Sequence, residues 1–126
     1  MKAMVLKAAN TPFVLETLPD PEPGPGEAVA RVLACGSGLT IQHIKAGRMP
    51  AEFPRVIGHE ITGEIVAVGT GVTGIKVGDP VIVHPLVTSG HCLACRRGED
   101  MHAEESSFPG INADGGYAEY LHTGER

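Results

Sequence analysis

Gly58-His59-Glu60-Ile61-Thr62-Gly63-Glu64-Ile65-Val66-Ala67-Val68-Gly69 decides how the rest of the 126-residue chain is read. Ile61 to Val68 is dense in β-branched residues and bounded by glycines, which marks a buried strand entered through a Gly-His-Glu step. Pro80 to His84 repeats that character after a Gly78-Asp79 turn. Towards the N-terminus, Met1 to Ala8 and Phe13 to Leu18 read as a hairpin turned at Asn10-Thr11-Pro12. The Pro19 to Gly26 stretch holds four prolines and two glycines, so it sustains neither ladder nor helix and reads as an exposed connector. Glu27 to Ala34 is a further strand, Gly36-Ser37-Gly38 breaks it, and Leu39 to Ala46 carries the apolar spacing of one short helix. Towards the C-terminus, Pro85 to Gly116 loses all period and reads as a loop lobe, after which Tyr117 to His122 resumes as a last strand.

The composition agrees with a turn-rich, mainly β single domain: 17 Gly and 10 Pro with 42% hydrophobic residues leave material for one modest core. A net charge of -5 with scattered Lys and Arg, and 4% aromatics, exclude a nucleic-acid footprint. No apolar run approaches the ~20 residues of a membrane span, and Lys7 interrupts the N-terminus before a secretory core forms, so the chain is expected in the cytoplasm. Three cysteines, with Cys92 and Cys95 paired as Cys-x-x-Cys and Cys35 remote, do not make a secreted disulfide framework. That pair reads as metal-related, redox-active or vestigial; the βαβ setting of a thioredoxin motif is missing.

Gly69-Thr70-Gly71-Val72-Thr73-Gly74 satisfies G-x-G-x-x-G, yet Ile75 to Pro80 leads into another strand instead of the helix that would hold a pyrophosphate. It is read as a β-turn, and no residue is assigned to cofactor binding. No strand-helix-strand series occurs, so a complete nucleotide-binding sheet is not expected within residues 1–126. His59 and Glu60 pair an imidazole with a carboxylate at a strand entrance, both zinc-ligand types, with Gly58 free to bend the backbone that presents them.

Gly58-His59-Glu60-x-x-Gly63, followed by Gly69, Val72 and Gly78-Asp79 before Val81, resembles the zinc-type signature of medium-chain alcohol dehydrogenases. The resemblance extends to Ala34-Cys35-Gly36 leading into Thr40, the cysteine lobe at Gly90 to Ala103, and Asp114-Gly115-Gly116-Tyr117-Ala118-Glu119-Tyr120. It implies a GroES-like, partly open β-barrel with a loop lobe and few short helices over residues 1–126, the N-terminal catalytic domain of that family without its Rossmann domain. It implies hydride transfer between an alcohol and an aldehyde or ketone with NAD or NADP, zinc acting as Lewis acid on the substrate oxygen. The partner is a small alcohol or carbonyl compound. By the same resemblance His59 and Glu60 fall at the metal, Thr40 and His43 in the proton relay, and Cys92 and Cys95 in a structural zinc lobe. Without cofactor-binding sequence, the chain alone is expected to be inactive.

The departures are as informative. The family reads Cys-Gly-x-Cys-x-Thr-Asp with its zinc thiolate at the second cysteine, where this chain has Gly38; Cys35 matches the first, and Ile41 replaces the Asp. The lobe's C-x2-C-x2-C-x7-C spacing puts its outer thiolates at Ser89 and Ala103. Two readings therefore stand beside the zinc enzyme: a zinc-independent reductase of the same family, and a non-catalytic module that binds or self-associates through an exposed sheet edge.

Overall fold

The computed structural model describes residues 1–124. Strands β1 (Lys2–Leu6) and β2 (Phe13–Thr17) form the expected hairpin, with Asn10 turning at a φ of 61°. β3 (Glu27–Cys35) precedes α1 (Leu39–Lys45), then β4 (Arg55–Val56), β5 (Ile61–Val68) and β6 (Pro80–Val83). The lobe contains β7 (Val87–Thr88), α2 (Leu93–Arg96), a short 3-10 turn at Asp100–His102 and β8 (Ser106–Ser107), and β9 (Tyr120–Gly124) follows it. The strands form a three-stranded sheet ordered β2-β1-β4, a four-stranded sheet ordered β6-β5-β3-β9, and the two-stranded β7-β8 ribbon, all antiparallel. No helix is long and apolar enough to cross a membrane.

α1 forms because Ile41 and Ile44 recur at helical spacing and bury completely against Leu6 and Ile57, with Phe13, Met49, Phe53 and Tyr117 closing the cluster. Each such side chain taken fully out of water contributes about 1.5–3 kcal/mol, so this cluster fixes α1 on the first sheet. In the second sheet, alternation along β3 and β5 points Ala28, Ala30, Ile61 and Ile65 inward, where they meet Val83 and Leu121 in two adjoining clusters.

The last strand starts three residues later than its alternation suggests. Tyr117 and Ala118 serve the other sheet instead: the Tyr117 carbonyl accepts from the Met4 amide at 2.7 Å, and Ala118 bridges Ala3. Glu119 belongs to both sheets, its amide donating to the Lys2 carbonyl at 3.0 Å and its carbonyl accepting from the Val32 amide at 2.9 Å, and from Tyr120 the ladder runs along β3 in the Tyr120↔Arg31 register. At Gly69 to Gly74 the backbone turns with Gly71 at a φ of 84°, the Gly26 amide donates to Thr70 at 2.9 Å, and β6 follows. The glycine-rich stretch is a turn between strands, as its context demands.

Candidate functional site

The centre of the candidate site is built by backbone pairing around Gly58. The Gly115 amide donates to Val56, Gly116 to Gly58 and Tyr117 to Ile57, at 2.7, 2.9 and 3.0 Å. Asp114 anchors that segment through one carboxylate oxygen, which accepts from the Val56 amide at 3.0 Å and pairs with Arg55. The two segments run so close that Cβ atoms on Gly110 or Gly115 would sit 2.6 and 2.1 Å from Gly58 backbone atoms. Gly58 itself has a φ of 103°, a conformation that L side chains rarely adopt. The Asp-Gly-Gly-Tyr segment thus earns its glycines by packing, and it holds the chain at the point where His59 leaves it.

The His59 side chain keeps 14% of its surface exposed and stands edge-on to Phe108, with ring centroids 5.6 Å apart. Its Nδ1 is the buried side-chain polar atom that finds no hydrogen-bond partner among the described residues. A buried imidazole nitrogen left unpaired costs about 1–3 kcal/mol, so this atom calls for a partner of its own, a water or an ion being the ordinary ones. Nε2 lies 4.0 Å from Glu60 Oε1. The Glu60 carboxylate leans over a glycine cradle: a Cβ on Gly36 would meet Oε2 at 2.1 Å, and one on Gly38 would meet Oε1 at 2.6 Å. The end of β3, the start of α1 and the entrance to β5 therefore converge on this carboxylate, tied further by the Gly36 amide donating to the Glu60 carbonyl at 2.8 Å.

Cys35 belongs to the same corner, because the β3–β5 register sets it opposite Ile61. Its sulfur lies where Cβ atoms on Gly58 and Gly116 would be 2.7 and 2.9 Å away. Burial pushes its thiol above the ordinary range; a hydrogen bond from the Glu60 backbone opposes this, and the Glu60 charge adds to it. Residue spacing along the chain gives no sign of this neighbourhood, which exists only through strand register. Thr40 and His43, both half-buried, lie one turn apart on α1. Among the described residues neither side chain hydrogen-bonds to His59 or Glu60.

His59 and Glu60 have zinc-ligand chemistry; the nitrogen without a partner is Nδ1, whereas the one that faces the Glu60 carboxylate is Nε2. They do not complete a site: among the described residues no group of three or more His, Cys, Asp or Glu is arranged to hold a metal.

The lobe fails the same test more fully. Cys92 and Cys95 sit with sulfurs 2.9 Å apart, and the Cys95 amide donates to Cys92 Sγ at 3.3 Å, so Cys92 caps the first turn of α2. Contact with Cys92, and after it with the Thr88 hydroxyl, holds the Cys95 thiol below its ordinary range. Ser89 Oγ accepts from the His91 amide and Ala103 offers no donor, so a closed tetrahedral zinc has two ligands where it needs four. A cleft of about 880 Å³ runs between this lobe and β9, lined by Thr88, Ser89, Tyr120 and His122. It includes none of Thr40, His43, His59 or Glu60.

A mainly β chain with this glycine-braced Gly-His-Glu corner is of one recognisable kind. The family model described as the alcohol dehydrogenase GroES-like domain matches residues 24–126, and the chain belongs to that family. It is 36% identical to an NAD-dependent alcohol dehydrogenase of Sulfolobus acidocaldarius over 96% of its length. It is 41% identical to an L-threonine 3-dehydrogenase of Pyrococcus horikoshii over 79% of its length. The alcohol dehydrogenase of Aeropyrum pernix superposes on all of it with a TM-score of 0.93 at 42% identity. The chain spans only 37%, 30% and 38% of those three proteins.

Proposed function

We propose that this chain is the substrate-side domain of a cytoplasmic NAD(P)-dependent alcohol dehydrogenase that interconverts small alcohols with aldehydes or ketones. The observation that carries the reading is the His59 imidazole, buried beside Glu60 with Nδ1 unpartnered. His59 and Glu60 contribute two donors to a zinc ion whose remaining ligands come from outside this pair; when bound, such an ion polarises the substrate oxygen. Thr40 presents a hydroxyl and His43, three residues on along the same helix, an imidazole. In this reading Thr40 Oγ1 accepts the alcohol proton as its own hydroxyl proton passes on towards His43 and water. The Gly36 and Gly38 cradle keeps the Glu60 carboxylate turned to that end of the domain. Phe108, edge-on to His59, limits the freedom of the ring.

Two experiments test it. Titration of the chain with zinc, followed through the histidine ring resonances, is expected to move His59 first, to lose that response in His59→Ala and to keep it in Cys92→Ser. Grafted in place of the matching segment of the Aeropyrum pernix enzyme, the chain is expected to support NAD(P)-dependent alcohol oxidation that Thr40→Val reduces. Zinc in excess that leaves His59 unmoved would contradict the assignment of the metal corner. A folded chimera with full turnover after Thr40→Val would remove the relay.

A further inference from the structure

We propose that Cys92 and Cys95 form a peroxide-sensitive dithiol that closes to a disulfide within the lobe. The sulfurs already stand 2.9 Å apart, and a disulfide needs about 2.03–2.05 Å, so closure takes a movement of about 0.9 Å by two side-chain rotations. The backbone has made its contribution in advance. Cys92 is fixed as the cap of α2 by the Cys95 amide, which orients one sulfur towards the other across a single helical turn.

The competing use of the pair is a structural metal, and the lobe does not supply it. The two further positions hold Ser89 and Ala103, and among the described residues no cluster of three or more metal-ligating side chains exists. Both thiols are free. Their exposure is unequal in a useful way: Cys92 is half-buried at the surface of the lobe, whereas Cys95 is 5% exposed. An oxidant from solvent therefore meets Cys92 first, and Cys95 waits behind it. Cys35 lies on β3 in the four-stranded sheet and takes no part.

The chemistry balances with a small peroxide as the oxidant. Cys92 sulfur attacks one oxygen of hydrogen peroxide, the O–O bond breaks, and a sulfenic acid and one water form. Cys95 sulfur then attacks Cys92 sulfur, the S–O bond breaks, its hydroxyl leaves with the Cys95 proton as a second water, and the S–S bond forms. Both sulfurs together lose two electrons and the peroxide gains them. A dithiol reductant reverses the process by exchange. No βαβ unit surrounds the pair, so this is a modification of the lobe and not a disulfide reductase site.

The test is thiol counting by mass spectrometry on the intact chain. After brief treatment with hydrogen peroxide and then alkylation, the folded chain is expected to take one alkyl group, on Cys35, in place of three. It is expected to be two hydrogens lighter before alkylation and to regain all three sites with dithiothreitol. Cys92→Ser and Cys95→Ser must each prevent this, and Cys35→Ser must leave it intact. The same treatment in urea is expected to close the pair more slowly, because unfolding removes the cap that holds the sulfurs together. Equal rates folded and unfolded would overturn the proposal, as would Cys92 ending as a sulfinic acid with Cys95 still alkylated. One tightly held zinc per chain, lost in Cys92→Ser, would overturn it as well.

Discussion

Replacing Gly58 by alanine isolates the contact on which the candidate site is hung. The substitution has two costs. A residue held in a sparsely populated backbone region loses about 1–3 kcal/mol, and a methyl group forced into occupied space loses about 1–3 kcal/mol more. Both apply at Gly58, where φ is 103° and the new Cβ would stand 2.7 Å from Cys35 Sγ and 2.8 Å from Tyr117 Cδ1. Only the first applies at Gly71, with a φ of 84° and nothing within 4 Å of its Cβ. Gly71→Ala is thus an internal control, and the difference between the variants, about 1–3 kcal/mol, measures the packing. Equilibrium unfolding in urea by far-ultraviolet circular dichroism suits a chain that has no tryptophan. With a slope of about 1–3 kcal/mol per molar urea, a 2 kcal/mol difference separates the midpoints by roughly 1 M. Midpoints that coincide within roughly 0.3 M at equal slopes would refute the close packing of Gly58 against Cys35 and Tyr117.

Ile57→Ala, in the cluster that seats α1, is expected to cost about 2–5 kcal/mol, read as a lower thermal midpoint with α1 amides losing hydrogen-exchange protection. Lys7→Ala breaks a partly exposed ion pair at 2.5 Å between the residue just past β1 and Glu16 of β2, and thermal melting should shift by less than about 1 kcal/mol equivalent. Asp79 is held below its ordinary value of 3.8 by hydrogen bonds from the Lys76 backbone and then from its side chain. Its stabilisation is therefore present above that value and lost as pH falls through the lower, folded one. Stability measured from pH 6 downwards should decline less steeply in Asp79→Asn than in the parent chain; parallel curves would show the turn hydrogen bonds to be dispensable.

Much of the fold was legible because its strands carry period. Ile61 to Val68 and Glu27 to Ala34 occur where their β-branched and small apolar residues put them, and Ile41 with Ile44 sufficed for α1. Apart from the late start of β9, where Tyr117 and Ala118 pair with the other sheet, the misses share one cause: ladders too short to have a period. β4 is two residues long and exists because Val56 and Arg55 face Val5 and Leu6. In the lobe, Val87-Thr88 pairs with Ser106-Ser107, which no local pattern announces. The candidate site divides in the same way. The Gly58-His59-Glu60 corner was legible from its residues only together with the family resemblance, whereas the packing of Cys35 against Gly58 and Gly116 and the closeness of Glu60 to Gly36 and Gly38 depend on segments brought together by the β3–β5 register.

The handover at Tyr117 also sets an order of events for a chain emerging from a ribosome. Met4 and Lys2 in the first strand receive their outer partners from Tyr117 and Glu119, and Glu27 to Arg31 receive theirs from Tyr120 to Gly124. The N-terminal half of β1 and the outer flank of β3 thus stay unpaired on that side until Tyr117 to Gly124 have been synthesised, and both closures join residues far apart in the sequence. Such non-local closure is slow, and the waiting edges of β1 and β3 are open to foreign strands meanwhile. Nascent chains stalled before Tyr117 are the ones a chaperone would be expected to hold.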